Sequence, residues 1–345
     1  MDLLERIKAR ARGAPQRIVL CEGNDARVLA AGARAAADGM ARIVVVGKQA
    51  AIEATAAEHG LDTAQLELVD PETAALRPQL QQTLLALRAK RGMTPDMAAA
   101  AVLDPLTFAM LMLRADLADG SVSGAVYSTA DVVRAAIQIV GPKPGSPLVS
   151  SFFLMLRDEP FHSNIQAMIF SDCGLVIDPD EEQLAHITLA AADSALALLN
   201  TEPKVAMLSF STNGSATHRH VDKVRNAAQR VHALRPELAV DGDVQLDAAV
   251  VPEIAARKLA ATRVSGQANV LIFPNLDAAN IAYKLTERLG HATAIGPLLQ
   301  GLAKPANDLS RGCSSEDVYN VIAVTAVQAQ ALIPDARLDE TAPSA

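Results

Sequence analysis

Short apolar runs alternate along the first 140 residues with longer stretches whose apolar residues recur every three or four positions, the pattern of buried parallel strands covered by helices. Met1 to Lys8 reads as a short charged amphipathic helix, and Arg17-Ile18-Val19-Leu20-Cys21 as a buried strand. Turn residues Gly23-Asn24-Asp25 follow, then an alanine-rich helix to about Asp38 and a second strand over Ala41 to Val46. Residues 80–91 and 97–117 read as helices, the second broken near Asp104-Pro105, where proline supplies no N–H. Val122 to Tyr127 has a strand pattern that delivers Ser128-Thr129 at its end.

Gly141-Pro142-Lys143-Pro144-Gly145-Ser146-Pro147 is the densest proline and glycine stretch and the best place for a domain crossing. Beyond it, strands are expected at Gln166–Phe170, Lys204–Ser209 and Asn269–Phe273, interleaved with helices at Glu181–Leu199, Val221–Leu234, Pro252–Leu259 and Asp277–Leu289. In the first of these helices Leu184, Ile187, Ala191, Ala195 and Leu198 form one apolar stripe. The stretch from Gly296-Pro297 to Lys304-Pro305 closes the block before a final helix from about Ser315 to Ile333. The tail after Pro334 carries little structural signal.

Composition narrows the class. A chain of 345 residues suggests two lobes, and with half its residues hydrophobic but only 3% aromatic and no Trp, its cores must be built from Ala, Val, Leu and Ile. The net charge of −8 argues against nucleic-acid and anionic-membrane partners, which are held by clustered Lys and Arg. Cys21, Cys173 and Cys313 are too scattered for a disulfide framework or a zinc knuckle, which suits a reducing cytoplasm. No run reads as a signal peptide or a membrane span.

The densest chemistry is in Asn307-Asp308-Leu309-Ser310-Arg311-Gly312-Cys313-Ser314-Ser315-Glu316-Asp317, ahead of the last helix. A helix N-terminus attracts anions and an adjacent arginine can add a bidentate grip on phosphate. Yet Ser314 with Asp317 three residues on is also a capping pair, and taken alone the cap is the better reading. Ser128-Thr129-Ala130-Asp131-Val132-Val133-Arg134 repeats the theme at a strand's end, where open α/β sheets bind ligands, and a capped helix with a solvated Arg134 explains it equally well. Arg27 and Arg88 add positive charge to the same block. Ser209 to Ser215 is either an anion nest or a hydrophilic loop, and Asp241 to Asp247 reads as a turn and strand rather than a metal site. No HExxH, GxGxxG or GxxxxGK occurs, so neither a dinucleotide enzyme nor a P-loop NTPase is supported.

Taken together, residues 17–330 resemble the phosphate acetyltransferase family. The resemblance is carried by Asp104-Pro105, Ala118-Asp119-Gly120, Gly124 to Arg134, Pro203 to Thr212, Asp247-Ala248-Ala249, Ala268 to Pro274 and Ile295 to Asp317. Cys21, Asp243, Ala279 and Ala135 depart from the usual Pro, Glu, Gly and Pro, and none carries assigned chemistry. The resemblance implies two three-layer α/β lobes with mainly parallel sheets, as in isocitrate and isopropylmalate dehydrogenases, residues 1–148 with 298–345 forming the first and 149–297 the second. It also implies a cleft between the lobes and a homodimer joined through the second.

By the same resemblance, Asp317, Ser310 and Arg311 would be catalytic, with Arg88, Arg134, Ser128, Thr129, Arg27 and Cys313 binding substrate, Arg27 nearer the edge or the coenzyme. Acetyl phosphate, phosphate and coenzyme A would be the substrates, with no metal or permanently bound cofactor and an acetate kinase as functional partner. An acyltransferase for propionyl or butyryl phosphate, a catalytically silent regulatory homologue and an NAD(P)-dependent dehydrogenase are the rival readings.

Overall fold

Fully apolar strands such as Ile18-Val19-Leu20, buried on both faces, require a sheet covered on both sides, and the chain builds two such sheets. The computed structural model describes residues 3–157 and 165–333; the expected unstructured tail lies outside the described residues. Contacts divide the chain into two compact units, one of Leu4–Lys143 with the segment from Leu302, the other essentially Pro144–Gly301.

The first unit runs through α1 (Leu3–Gly13), β1 (Gln16–Leu20), α2 (Ala26–Ala37), β2 (Ala41–Val46), α3 (Gln49–His59), β3 (Glu67–Val69), α4 (Arg77–Arg88), α5 (Pro95–Ala101), α6 (Pro105–Arg114), β4 (Gly120–Ser123) and α7 (Thr129–Ala135). The second contributes β5 (Ser150–Leu156), β6 (Ala167–Ser171), α8 (Glu181–Leu199), β7 (Lys204–Leu208), α9 (Arg219–Leu234), β8 (Ala239–Val244), α10 (Leu246–Val250), α11 (Pro252–Lys258), β9 (Val270–Ile272), α12 (Leu276–Arg288) and β10 (Thr293–Gln300). The chain then returns to the first unit with β11 (Ala306–Asp308) and α13 (Ser315–Gln330).

The first sheet has the order β11-β4-β1-β2-β3, with every pair parallel. α2 and α13 pack on each other and against this sheet. Gly32 lets α2 come close, because a Cβ there would stand 2.8 Å from the Leu20 side chain. Arg34 pairs with Glu316, and Tyr319 donates its hydroxyl to Asp38 at 2.6 Å, so the start of α13 is fixed on α2. Asp104 caps α6, whose residues Phe108 to Leu113 are all buried.

The second sheet, β10-β5-β6-β9-β7-β8, is parallel from β6 to β8 and antiparallel at β10-β5 and β5-β6. The predicted stripe of α8 is buried throughout. Two strands of this sheet, β5 and β10, are not predicted by the pattern, and β8 ends at Val244 within the turn and strand expected over Asp241 to Asp247. β10 runs through Gly296-Pro297, where its register with β5 breaks between Ile295 and Leu298; proline is tolerated there because the strand lies at the sheet edge. Asp241 accepts from Thr262 and the Arg263 N–H, and Asp247 pairs with Lys258, so these carboxylates serve loop structure.

One expectation about the first unit is corrected. The strand predicted over Val122–Tyr127 ends at Ser123, because Gly124 has φ of 113° and the N–H groups of residues 124–127 turn to the side chain of Glu22 instead of to a neighbouring strand.

Candidate active site

The chain leaves β1 toward β2 on one side, and β4 and β11 are laid down on the other, so the loops after β1 and β4 part company between adjacent strands. Such a switch point opens a crevice at the carboxyl ends of a parallel sheet. Three segments meet there: Glu22–Arg27 after β1, Gly124–Arg134 after β4, and Asp308–Asp317 from β11 into α13.

Two side chains of the first segment hold the other two by their main chains. Glu22, 3% exposed, accepts from the N–H groups of Gly124, Ala125, Val126 and Tyr127 at 2.8–3.1 Å. The far side of that turn is pinned by the Tyr127 hydroxyl donating to Asp104 at 2.7 Å, and burial together with Asp104 pushes the phenol well above its ordinary range. Arg27 spends all five of its N–H donors: Nε and Nη2 on Asp25, Nη2 also on the Ala125 carbonyl, and Nη1 on the carbonyls of Arg311 and Cys313 at 2.9 and 2.8 Å. Burial alone would raise the Asp25 carboxyl, but these bonds outweigh it and hold it below its usual range. The five bonds make Arg27 a tie between the Ala125 and Arg311–Cys313 turns and leave it no spare donor for a ligand.

Ser310 to Cys313 forms a tight turn, closed by the Cys313 N–H on the Ser310 carbonyl at 2.9 Å and by the Gly312 N–H on the Ser310 hydroxyl at 3.2 Å. Arg311 projects from it exposed, and its guanidinium has no hydrogen bond or ion pair with any described residue. Asp317 is exposed and forms the expected capping box: its Oδ2 accepts from the Ser314 N–H and hydroxyl at 2.8 Å, while its own N–H donates to Ser314. Cys313 is 7% exposed. Burial raises its thiol more than neighbouring Arg27 lowers it, which keeps the sulfur protonated at neutral pH.

Across the switch point, Ser128 caps α7; its hydroxyl donates to Asp131 Oδ2 at 2.6 Å and accepts the Asp131 N–H. Arg134 pairs with the other Asp131 oxygen at 2.8 Å on an exposed surface, and Thr129 is exposed. Ser128 and Ser310, then, come from neighbouring strands of one sheet. Arg88 ends α4, half-buried, and no bond ties it to the Ser310–Asp317 turn. Among the described residues no group of three or more His, Cys, Asp or Glu is arranged to hold a metal ion, and no single helix is long and apolar enough to cross a membrane. The Ser209–Ser215 loop does not open as an anion nest, since the N–H groups of Ser211 to Ala216 are all bonded to Ser209, Ser211, Thr212, Ser215 or Asp243.

Glu22 and Asp308 are site residues that the sequence pattern does not single out. Glu22 follows the apolar central strand β1, and an acidic residue there was the available signal; Asp308 closes the short edge strand β11, Ala306-Asn307-Asp308, which gives no such signal. Asp308 is 1% exposed, and neither carboxyl oxygen makes a hydrogen bond. Burial lifts its pKa to about 7, with the charge of Glu22 adding to the rise; the Thr129 hydroxyl and the Leu309 N–H face the carboxyl and oppose the rise without reaching hydrogen-bond geometry.

A folded-state pKa above the unfolded value means the native protein holds this proton where the unfolded chain has released it, so the contribution to stability is present below about pH 4 and lost as pH rises to about 7. Each tenfold difference in proton affinity between the two states is worth ~1.4 kcal/mol, which puts the whole change on the order of a few kcal/mol. Asp308→Asn lacks this contribution. Wild type is therefore expected to lose stability relative to the variant between about pH 4 and 7 in thermal melts, and a parallel response of the two proteins would exclude the buried proton.

A parallel α/β unit that gathers hydroxyls and an unpaired arginine on main-chain-tied turns at its strand ends defines an anion-handling protein of the open-sheet class. The family described as phosphate acetyl/butaryl transferase matches residues 2–326. A phosphate acetyltransferase of Clostridium acetobutylicum is 46% identical over 330 residues, covering 96% of this chain and 99% of the relative. A solved phosphotransacetylase from Streptococcus pyogenes superposes with a TM-score of 0.90 at 40% identity, covering 95% of this chain and 98% of that one. A putative 4-hydroxythreonine-4-phosphate dehydrogenase from Salmonella typhimurium, 11% identical with a TM-score of 0.56 over 91% of this chain and 99% of its own, shares the fold alone. The chain belongs to the phosphate acetyl/butaryl transferase family.

Proposed function

We propose that this chain is a phosphate acetyltransferase that moves an acetyl group reversibly between acetyl phosphate and coenzyme A. Besides family membership, the observation that carries the reading is the unpaired guanidinium of Arg311, exposed on a turn whose carbonyls are fixed by Arg27 and placed one turn ahead of α13. A cation held in place without a protein partner suits a dianionic leaving group.

In this reading both substrates bind before chemistry. The coenzyme thiol loses its proton, at a cost of about 2 kcal/mol at neutral pH if its pKa is that of an ordinary thiol. The thiolate attacks the acetyl carbon, a C–S bond forms, the carbonyl becomes an oxyanion, and its collapse breaks the C–O bond to phosphate. Arg311 holds the departing phosphate, Ser310 donates to the oxyanion or orients the thiol, and Asp317, through the oxygen its capping box leaves free, takes the thiol proton. Ser128, Thr129, Arg134 and Arg88 serve substrate binding; Ser128 and Arg134 would have to leave Asp131 to do so. The protonated, buried Cys313 supports direct transfer without an acyl-enzyme.

The test is to mix the purified protein with coenzyme A and acetyl phosphate and follow thioester absorbance, then repeat with propionyl and butyryl phosphate. Thioester from acetyl phosphate is the expected result. A clear preference for a longer acyl group would move the assignment to a wider acyltransferase, and no thioester from any of the three would leave a catalytically silent homologue. The second unit is proposed to form a homodimer: Ile281 and Leu285 on α12 and Leu289 at its C-cap, at 60, 50 and 74% exposure, follow one another at four-residue spacing as an uncovered apolar stripe. Light scattering that returned a monomer mass would exclude it.

A further inference from the structure

Asp308 ends β11 opposite Ser123 of β4, and its carboxyl is buried with both oxygens unpartnered. The charged group that faces it, and the polar residues that precede Thr129 and Asp308 in the chain, are committed elsewhere. Glu22 is filled by four main-chain N–H groups, the Ser128 hydroxyl is bonded both ways to Asp131, and the Asn307 amide reaches Thr325 and Gln328 of α13. The side-chain donor that faces the Asp308 carboxyl is the hydroxyl of Thr129, exposed at the first position of α7. Gly124 makes this approach possible, because any Cβ at that position would stand 2.3 Å from Asp308 Oδ1. An exposed hydroxyl thus has a buried carboxyl behind it, and the carboxyl has lone pairs to spare.

We propose that Asp308 is a positioning residue that sets the direction of the Thr129 hydroxyl at the substrate face. The ionised carboxyl accepts a hydrogen bond from the hydroxyl and turns the oxygen lone pairs outward, where they accept a hydrogen bond from the coenzyme thiol and orient it for loss of its proton to Asp317. The protonated carboxyl donates to the same oxygen and turns its hydrogen outward, toward an anion. Neither residue forms a bond to carbon; the two states differ by one proton on the carboxyl, exchanged with solvent, and in the direction of the Thr129 hydroxyl, which keeps its own hydrogen in both. Burial brings the two states into balance near neutrality, and Glu22 is the charged group that faces the carboxyl. The inference rests on the acyl-transfer reading.

The experiment measures kcat/KM for coenzyme A, at saturating acetyl phosphate, from about pH 5.5 to 9. Wild type and Thr129→Ser are expected to lose activity on the acid side with a midpoint near 7, the value to which the carboxyl is lifted. Asp308→Asn and Thr129→Val should lose that limb and run about 5- to 10-fold lower on the plateau, the worth of one hydrogen bond, with melting temperatures at pH 8 close to wild type. An active wild type without the limb, or a limb that survives Thr129→Val, overturns the inference and leaves the acyl-transfer reading standing. If Asp308→Asn does not fold, the Thr129 pair decides. A wild type that forms no thioester at any pH overturns both.

Discussion

Arg311→Ala is expected to lower thioester formation by about 10²- to 10³-fold, the usual cost of losing a charge-stabilising donor at a transition state. The guanidinium has no structural duty to confuse the result, since no described residue pairs with it and Arg27 holds the turn by the carbonyls of residues 311 and 313, which alanine keeps. The loss should fall mainly on kcat, because charge on the leaving phosphate grows as the C–O bond breaks. Arg311→Lys should recover part of the rate, as a point charge cannot reproduce the two parallel bonds. Cys313→Ala is the control and should stay within about tenfold of wild type, less than the cost of a lost transition-state donor. Comparable losses from Cys313→Ala and Arg311→Ala in proteins of equal melting temperature would replace direct attack with a covalent intermediate.

The largest stability effect is expected from Glu22→Ala. The carboxylate gathers the N–H groups of four successive residues, and its removal leaves donors at Gly124 and Ala125 buried without an acceptor. Each dry, unpaired donor costs about 1–3 kcal/mol, and water entering the gap recovers part of that, so a loss of about 3–5 kcal/mol follows. Urea unfolding reads the total, and hydrogen exchange locates it: the amides of residues 124–127 should lose protection first. Glu22→Gln, with one oxygen left to accept, should fall between. A loss under about 1 kcal/mol with unchanged exchange at those amides would show that the turn holds itself.

The layout of the first unit was legible because its strands are apolar on both faces and its helices carry a stripe. Leu20 and Val45 announce a buried strand whatever their neighbours. The end of β4 was not legible, since Val122 to Tyr127 looks like strand until a carboxylate 102 residues away in sequence claims its N–H groups. β10 was hidden by Gly296-Pro297, which punctuates a sequence but is harmless at a sheet edge. For Ser310, Arg311 and Asp317 the family resemblance supplied the catalytic expectation, while the local pattern alone favoured a capping box, and the capping box is present. Chemistry and cap are compatible, since the cap uses one Asp317 oxygen. The roles of Glu22 and Arg27 depend on long-range contacts to main-chain atoms, and the burial of Asp308 on packing far along the chain, neither of which leaves a periodic trace in a sequence.

Those contacts also bear on how the protein tolerates change. Glu22 grips amides and Arg27 grips carbonyls, atoms that every residue type carries. The exposed side chains on these turns, Val126 and Arg311, can therefore be exchanged without loosening the loops that bear them. Scaffold and surface are encoded separately here, so the exposed face of these turns can change in sequence while their course is kept.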